Sequence, residues 1–163
     1  DEVAYGTFSG KSKGEEKGKV TVEDAAFLTV EFQNGALGSF EATRFATGRK
    51  NYNYFEIYGS KGALIFDFER MNELQYYSVD DPEYAQGFRT IIATEPVHDY
   101  IENWWPPGHV IGYEHEFTHA AYDFLQAINS NTEIEPNFYD GVKEMEALDA
   151  ALEAAETGKK VTL

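Results

Sequence analysis

A chain of 163 residues, 42% of them hydrophobic and 12 of them Phe, has the size and apolar content of one packed domain and not of a disordered segment. Its 13 basic and 29 acidic residues give a formal charge of −16, a surface that repels nucleic acid and anionic lipid and favours solubility. The absence of cysteine excludes disulfides, thiolate-bound zinc, iron–sulfur clusters and thiol nucleophiles, and it fits a reducing cytoplasm. No apolar run approaches the roughly 18 residues of a membrane span, and Asp1 to Tyr5 lack the basic start and apolar stretch of a signal peptide.

The first predicted element is a short strand over Val3–Phe8. The Gly/Lys-rich run from Ser9 to Gly18 follows and reads as a loop. Gly10-Lys11-Ser12 within it does not complete a phosphate loop: Tyr5 occupies the place of the leading glycine, and no apolar-periodic helix follows. Alternation of apolar residues predicts a strand over Val20–Gln33, with Val22, Ala26, Leu28, Val30 and Phe32 on one face. Asn34-Gly35 is a two-residue hairpin signal, so Ala36–Phe45 should return antiparallel. Further strands are predicted at Tyr52–Tyr58, Ala63–Phe68, Glu73–Val79 and Arg89–Ala93, the first two joined through Gly59-Ser60-Lys61-Gly62.

Helical spacing then takes over. Tyr113, Phe117, Ala121, Phe124, Leu125 and Ile128 form one stripe, stopped by Asn129-Ser130-Asn131, and Val142, Met145, Leu148, Leu152 and Ala155 form a second, capped by Gly158. Val161–Leu163 is a candidate last strand. Strands followed by helices imply an α+β fold: an open, mostly antiparallel sheet of about six strands with helices on one face. Apolar side chains fall on both sides of the predicted strands, with Leu28, Val30 and Phe32 opposing Ala25 and Phe27. A second apolar face of this kind calls for a partner sheet.

His115-Glu116-Phe117-Thr118-His119 matches the zinc-hydrolase pattern H-E-x-x-H. Two imidazoles four residues apart share a helix face and can bind one zinc, with Glu116 as general base and Glu144 or Glu146 as a third ligand. Against this, the pattern fixes only three positions, and the pair lies beside an apolar stripe where histidines commonly pack and hydrogen-bond. Zinc hydrolysis is the lesser alternative.

Read in order, Val22-Glu-Asp-Ala-Ala-Phe27, Phe32-Gln-Asn-Gly-Ala-Leu-Gly38, Glu41-Ala-Thr-Arg44, Phe55-Glu-Ile-Tyr-Gly-Ser-Lys-Gly-Ala-Leu64, Gly112-Tyr-Glu-His-Glu-Phe117, Asp140-Gly141 and Ala155-Glu-Thr-Gly158 form a recognisable series. Over residues 1–163 the chain resembles the C-terminal domain of the glucose–fructose oxidoreductase, inositol dehydrogenase and rhizopine-catabolism (Gfo/Idh/MocA) family. The resemblance implies the substrate-binding and oligomerisation domain of an NAD(P)-dependent sugar or cyclitol dehydrogenase, with a small-molecule sugar or polyol as ligand. It also implies a homo-oligomer formed through the sheet face.

The family's nucleotide-binding domain carries a G-x-G-x-x-G loop, and its catalytic Glu-Lys-Pro segment and Asp-x-x-x-His pair complete the chemistry; none of these occurs here. The expectation is therefore a chain separated from its N-terminal nucleotide-binding half. Such a chain would be inactive alone, with NAD or NADP bound only in the full-length protein. A standalone, non-catalytic partner subunit of the same fold is the other reading. What carries over is a wall of the substrate pocket: Arg49, Lys50 and Asn51 at the entry to the Phe55 strand, and Tyr113 at the start of the first long helix. His109 and Trp105 in the Trp-Trp-Pro-Pro-Gly-His loop, with His115 and Arg44, extend that wall. Aromatic faces cover the C–H patches of sugars, and Arg, Lys, Asn and His bond their hydroxyls.

Overall fold

The computed structural model describes residues 2–4 and 17–163. Most of the run from Ser9 to Gly18, including Gly10-Lys11-Ser12, and residues 5–8 of the predicted first strand lie outside the described residues. The chain divides into two units, residues 1–49 and 50–163.

In the first unit, β1 (Glu2–Ala4) pairs antiparallel with β2 (Lys17–Lys19). Separately, β3 (Ala25–Glu31) pairs antiparallel with β4 (Leu37–Thr43), with Leu28 opposite Phe40 and Val30 opposite Gly38. The strand predicted from Val20 begins only at Ala25, where its register with β4 starts opposite Thr43. The connection is also one residue longer than the Asn-Gly signal predicts. The Phe32 N–H donates to Ala36 O at 2.9 Å, the Gly35 N–H donates to Phe32 O at 2.8 Å, and Gly35 stands at φ +84°. This is the three-residue hairpin loop, a turn closed by a residue in the left-handed region. The side-chain Oδ1 of Asn34 accepts from the Ala36 N–H at 3.0 Å, which fixes the loop from within. Gly38 lies under side chains: a Cβ there would come within 3.1–3.2 Å of Phe32, Val30 and Phe40.

The second unit holds a four-stranded antiparallel meander in the order β5 (Tyr54–Gly59), β6 (Gly62–Asp67), β7 (Glu73–Ser78), β8 (Arg89–Ile92). Gly59 pairs with Gly62 around Ser60-Lys61. Gly62 is needed because a Cβ there would stand 2.3 Å from the Tyr77 carbonyl oxygen on β7. A 3-10 turn, Phe68–Arg70, joins β6 to β7, with the Asp67 carboxylate capping its Glu69 N–H at 2.9 Å. The β7–β8 connection is held by Gln86, whose amide donates to Val79 O and Asp81 O, and by an Arg89–Asp81 ion pair at 2.7 Å.

Helix α1 (Tyr113–Ser130) ends on Asn131 in the left-handed region, as the Asn129-Ser130-Asn131 stop predicts. Helix α2 (Phe138–Thr157) ends on Gly158 at φ +66°. It opens two residues before Asp140, because Asn137 caps it: Asn137 Oδ1 accepts from the Tyr139 N–H and the Asp140 carboxylate accepts from the Asn137 N–H, both at 2.8 Å. Residues 161–163 form no strand. The fold is α+β with open antiparallel sheets. The six strands expected in one sheet are found as the β3–β4 pair and the β5–β8 meander, each described within its own unit.

Burial is thin. Ala63, Ile101 and Ala127 are the buried apolar residues among those described. Every residue of β5 is exposed, and the helical stripes are open as well, Phe117 at 62% and Ile128 at 62%.

Candidate functional site

The connector Phe68–Asn72 gathers the candidate site of the second unit. Its first residue takes the chain entering β5: the Phe68 N–H donates to Asn53 O at 2.9 Å, and the Lys50 N–H donates to Glu69 Oε1 at 2.9 Å. The ring of Phe68 meets Tyr113 edge-on, centroids 6.0 Å apart, and Tyr113 meets Phe117 in the same manner at 5.2 Å. Its last residue, Asn72, holds the backbone of Ile111 from both sides. Asn72 Nδ2 donates to Ile111 O at 2.9 Å, and the Ile111 N–H donates to Asn72 Oδ1 at 3.1 Å. One turn thus joins the approach segment carrying Lys50 and Asn51 to the helix start carrying Tyr113.

Between β8 and α1 the chain is irregular apart from a 3-10 turn, Ile101–Asn103. Tyr100 before it has a left-handed backbone, φ +68°, a strained choice for an aromatic residue. Its ring stacks on His119, centroids 4.2 Å apart and planes 13° apart, and its hydroxyl donates to Asp123 Oδ2 at 2.7 Å. The bond to Asp123 raises the Tyr100 hydroxyl above its ordinary pKa. Trp104 closes the cluster: its indole Nε1–H donates to His119 Nε2 at 2.7 Å, and its ring lies edge-on to His115 at 4.4 Å.

This arrangement accounts for the H-E-x-x-H pattern. An indole N–H only donates, so His119 Nε2 is the acceptor, and the neutral ring carries its proton on Nδ1. His115, buried, accepts the Gly112 N–H at Nδ1 at 3.1 Å while its own N–H donates to Gly112 O at 3.1 Å, a reciprocal cap of α1. The Glu114 carboxylate also lies 3.5 Å from His115 Nδ1. The backbone N–H, which can only donate, makes that nitrogen an acceptor, so it cannot also donate to Glu114. Both lone pairs that a zinc would take are engaged, and no group of three His, Asp or Glu suited to a metal occurs among the described residues.

His109 and Trp105 lie between these anchors, on the exposed stretch Trp105–Val110, with Trp105 at 50% exposure. His109 Nδ1 is 2.9 Å from Pro106 O. A carbonyl only accepts, so Nδ1 carries a proton, and in the neutral ring Nε2 keeps its lone pair. Tyr113, His115, His109, Lys50 and Asn51 thus all belong to the second unit, where the Phe68–Asn72 connector touches both Lys50 and Tyr113 and Trp104 packs on His115. Arg44 and Arg49 belong to the first unit, where the Arg44 N–H donates to Asp24 O at 2.9 Å and the Arg49 N–H to Ala46 O at 3.0 Å. Asn72 and Tyr100 lie in no motif of the sequence, and the motifs that contain Trp104 and His119 do not show that the two are bonded to each other. Two shallow recesses flank the other end of α1, lined by Ala127, Thr132 and Ile134 among others, and neither includes Tyr113 or His109.

Residues 2–163 match the model of the oxidoreductase family C-terminal alpha/beta domain (Gfo/Idh/MocA). The chain belongs to this family. It is 43% identical over 140 residues to levoglucosan dehydrogenase from Pseudarthrobacter phenanthrenivorans, covering 85% of this chain and 36% of that protein. Among solved structures it is similar to an oxidoreductase domain protein from Kribbella flavida (49% identity, TM-score 0.87, 96% of this chain and 42% of that one). It is likewise similar to levoglucosan dehydrogenase in complex with NADH and levoglucosan (41% identity, TM-score 0.83, 87% of this chain and 39% of that one). The chain thus spans about two fifths of the length of these relatives. No helix among the described residues is long and apolar enough to cross a membrane.

Proposed function

We propose that this domain supplies one wall of the sugar pocket, and a subunit contact, to an NAD(P)-dependent dehydrogenase of a small sugar or cyclitol. The observation that carries this reading is the family match over residues 2–163 together with 43% identity to a levoglucosan dehydrogenase. The side chains suit the task. Tyr113 and Trp105 offer aromatic faces, while His109, Lys50 and Asn51 offer hydroxyl partners. The chain contains no G-x-G-x-x-G loop, so none of its residues is assigned to the nicotinamide cofactor and no hydride step is routed through them. Alone, it should bind sugar weakly and oxidise nothing, because hydride transfer needs cofactor and substrate held together.

Exposed apolar residues support the subunit contact. Phe27 at 70% and Leu37 at 82% stand open in the first unit, and Ile57 at 55% in the second. Light scattering of the chain across a concentration series should give a dimer or larger, and an 18.4 kDa monomer at tens of micromolar would remove the contact from the proposal.

A chimera tests the enzymatic part. This chain replaces the corresponding C-terminal domain of levoglucosan dehydrogenase. It should restore NAD(P)-dependent oxidation of levoglucosan or of another small sugar or cyclitol, while the 163-residue chain by itself produces no NADH. A chimera that folds and binds NADH yet oxidises none of them would overturn the reading.

A further inference from the structure

The stretch from Trp104 to Ile111 is anchored at its two ends and open between them. At one end, Trp104 is half-buried, bonded through its indole to His119 and packed edge-on against His115. At the other, Asn72 makes two bonds with the backbone of Ile111. From Trp105 to Val110 every residue is exposed. Gly108, at φ +87° with nothing within 4 Å of a Cβ position, turns the chain in open space. Within this span His109 is fixed by Pro106 O in the tautomer that leaves Nε2 as an acceptor, and that nitrogen has no partner among the described residues. The indole of Trp105, half exposed and 6.5 Å from the Trp104 ring, presents an aromatic face on the same arm.

An exposed loop of six residues would ordinarily sample many conformations, and each ordered residue costs roughly 1–2 kcal/mol of backbone entropy. Two directional anchors placed at the ends remove most of that freedom before any ligand arrives. The chemistry of the anchors is specific. The Trp104 indole can only donate and needs an acceptor on α1. The Ile111 peptide needs a donor and an acceptor at once, which an Asn carboxamide supplies and an Asp carboxylate does not.

We infer that Trp104, His119 and Asn72 are positioning residues that preform the Trp105–Val110 arm, holding the Trp105 face and the His109 Nε2 acceptor ready for a hydroxylated ring. The inference rests on the sugar-pocket reading for the identity of the ligand, and on the hydrogen bonds alone for the preformed arm. None of the three residues touches the ligand. They act through the arm, lowering the ordering cost of binding.

Two measurements separate these parts. The chain has 2 Trp, so its indole N–H groups give two NMR signals. In the full chain one should exchange with water slowly and the other fast. His119→Phe, which keeps a ring against Tyr100 but removes the acceptor, should bring the slow signal to the fast rate, and His119→Gln, which restores an acceptor, should recover much of the protection. Asn72→Ala should release the Ile111 amide. Two equally fast indole signals in the unaltered chain would overturn the preformed arm whatever the enzyme does. In the levoglucosan dehydrogenase chimera, His119→Phe and Asn72→Asp should each raise the sugar KM about tenfold and move kcat less than threefold, since a lost ordering contact weakens ground and transition state alike. His119→Gln should bring KM back towards the parent value. Loss of indole protection with an unchanged KM would overturn the positioning role. A chimera that oxidises no sugar would strike the proposed function, and the exchange rates would still decide the arm.

Discussion

The two main hairpins look alike in sequence and differ in why they need glycine. In β3–β4 the turn glycine, Gly35, stands at φ +84° with nothing within 4 Å of a Cβ position, so the requirement is conformational. In β5–β6 the glycine entering the second strand, Gly62, is required because β7 passes so close that a Cβ would stand 2.3 Å from the Tyr77 carbonyl oxygen. A conformational requirement belongs to the turn and can be met by another residue that tolerates the left-handed region. A steric requirement belongs to the neighbouring strand, and no other residue meets it.

The largest expected effect follows from the steric case. Gly62→Ala should lower stability by about 2 kcal/mol or more, because backbone against backbone cannot give as a flexible side chain would. The shift in the urea midpoint reads it. Gly35→Ala should lose about 1–2 kcal/mol, the ordinary cost of a Cβ in the left-handed region, and Gly35→Asn should lose less. If Gly62→Ala proves the milder of the two, or if Gly35→Asn is no better than Gly35→Ala, the distinction between the hairpins fails.

The smallest effect lies on the exposed face of β5, which has no counterpart in β3–β4. Glu56 accepts hydrogen bonds from the hydroxyls of Tyr54 and Tyr58, which alternate with it along the strand. The bond to Glu56 pushes the Tyr54 hydroxyl up from 10.0 to about 12 and raises Tyr58, while the two hydroxyls hold Glu56 below the usual carboxylate range. A raised tyrosine pKa adds stability that is complete below pH 10 and lost as pH climbs towards 12. The lowered carboxylate adds stability present above its ordinary range and lost as pH falls through its lowered value. These groups are exposed and screened by solvent, so the effect belongs in a titration more than in a melting curve. Glu56→Gln should return Tyr54 from about 12 towards 10.0, followed by tyrosinate absorbance. An unchanged alkaline titration would remove the triad.

Most of the element order is legible in the sequence because it is local. Period-two alternation marks β3 to β7, helical spacing marks α1 and α2, and Asn131 and Gly158 mark their ends. The misreadings have local causes too. Asn34-Gly35 closes a three-residue loop because the Gly35 N–H returns to Phe32, and the alternation before Ala25 continues beyond the end of the ladder with β4. The site is legible only in part. Tyr113, His109 and the Lys50-Asn51 entry segment can be picked by resemblance, but the groups that hold them cannot. Asn72 reaches Ile111 across 39 positions and Trp104 reaches His119 across 15, and no short-range pattern encodes either contact. The same distance explains why His115-Glu-x-x-His119 suggests zinc: spacing shows that the imidazoles share a face, while their acceptor duties to Gly112 and Trp104 appear only in three dimensions.

The left-handed backbone of Tyr100 has a consequence for how the molecule comes together. An aromatic residue left to itself avoids that region by about 1–2 kcal/mol, so nothing near residue 100 in the chain favours the path taken there. The path is favoured from outside, by the imidazole of His119 against its ring and the carboxylate of Asp123 at its hydroxyl. Those two groups share a face of α1 only once the helix has formed. Helix α1 is therefore the template and the segment before it the cast. The segment that takes this shape precedes in the chain the element that shapes it.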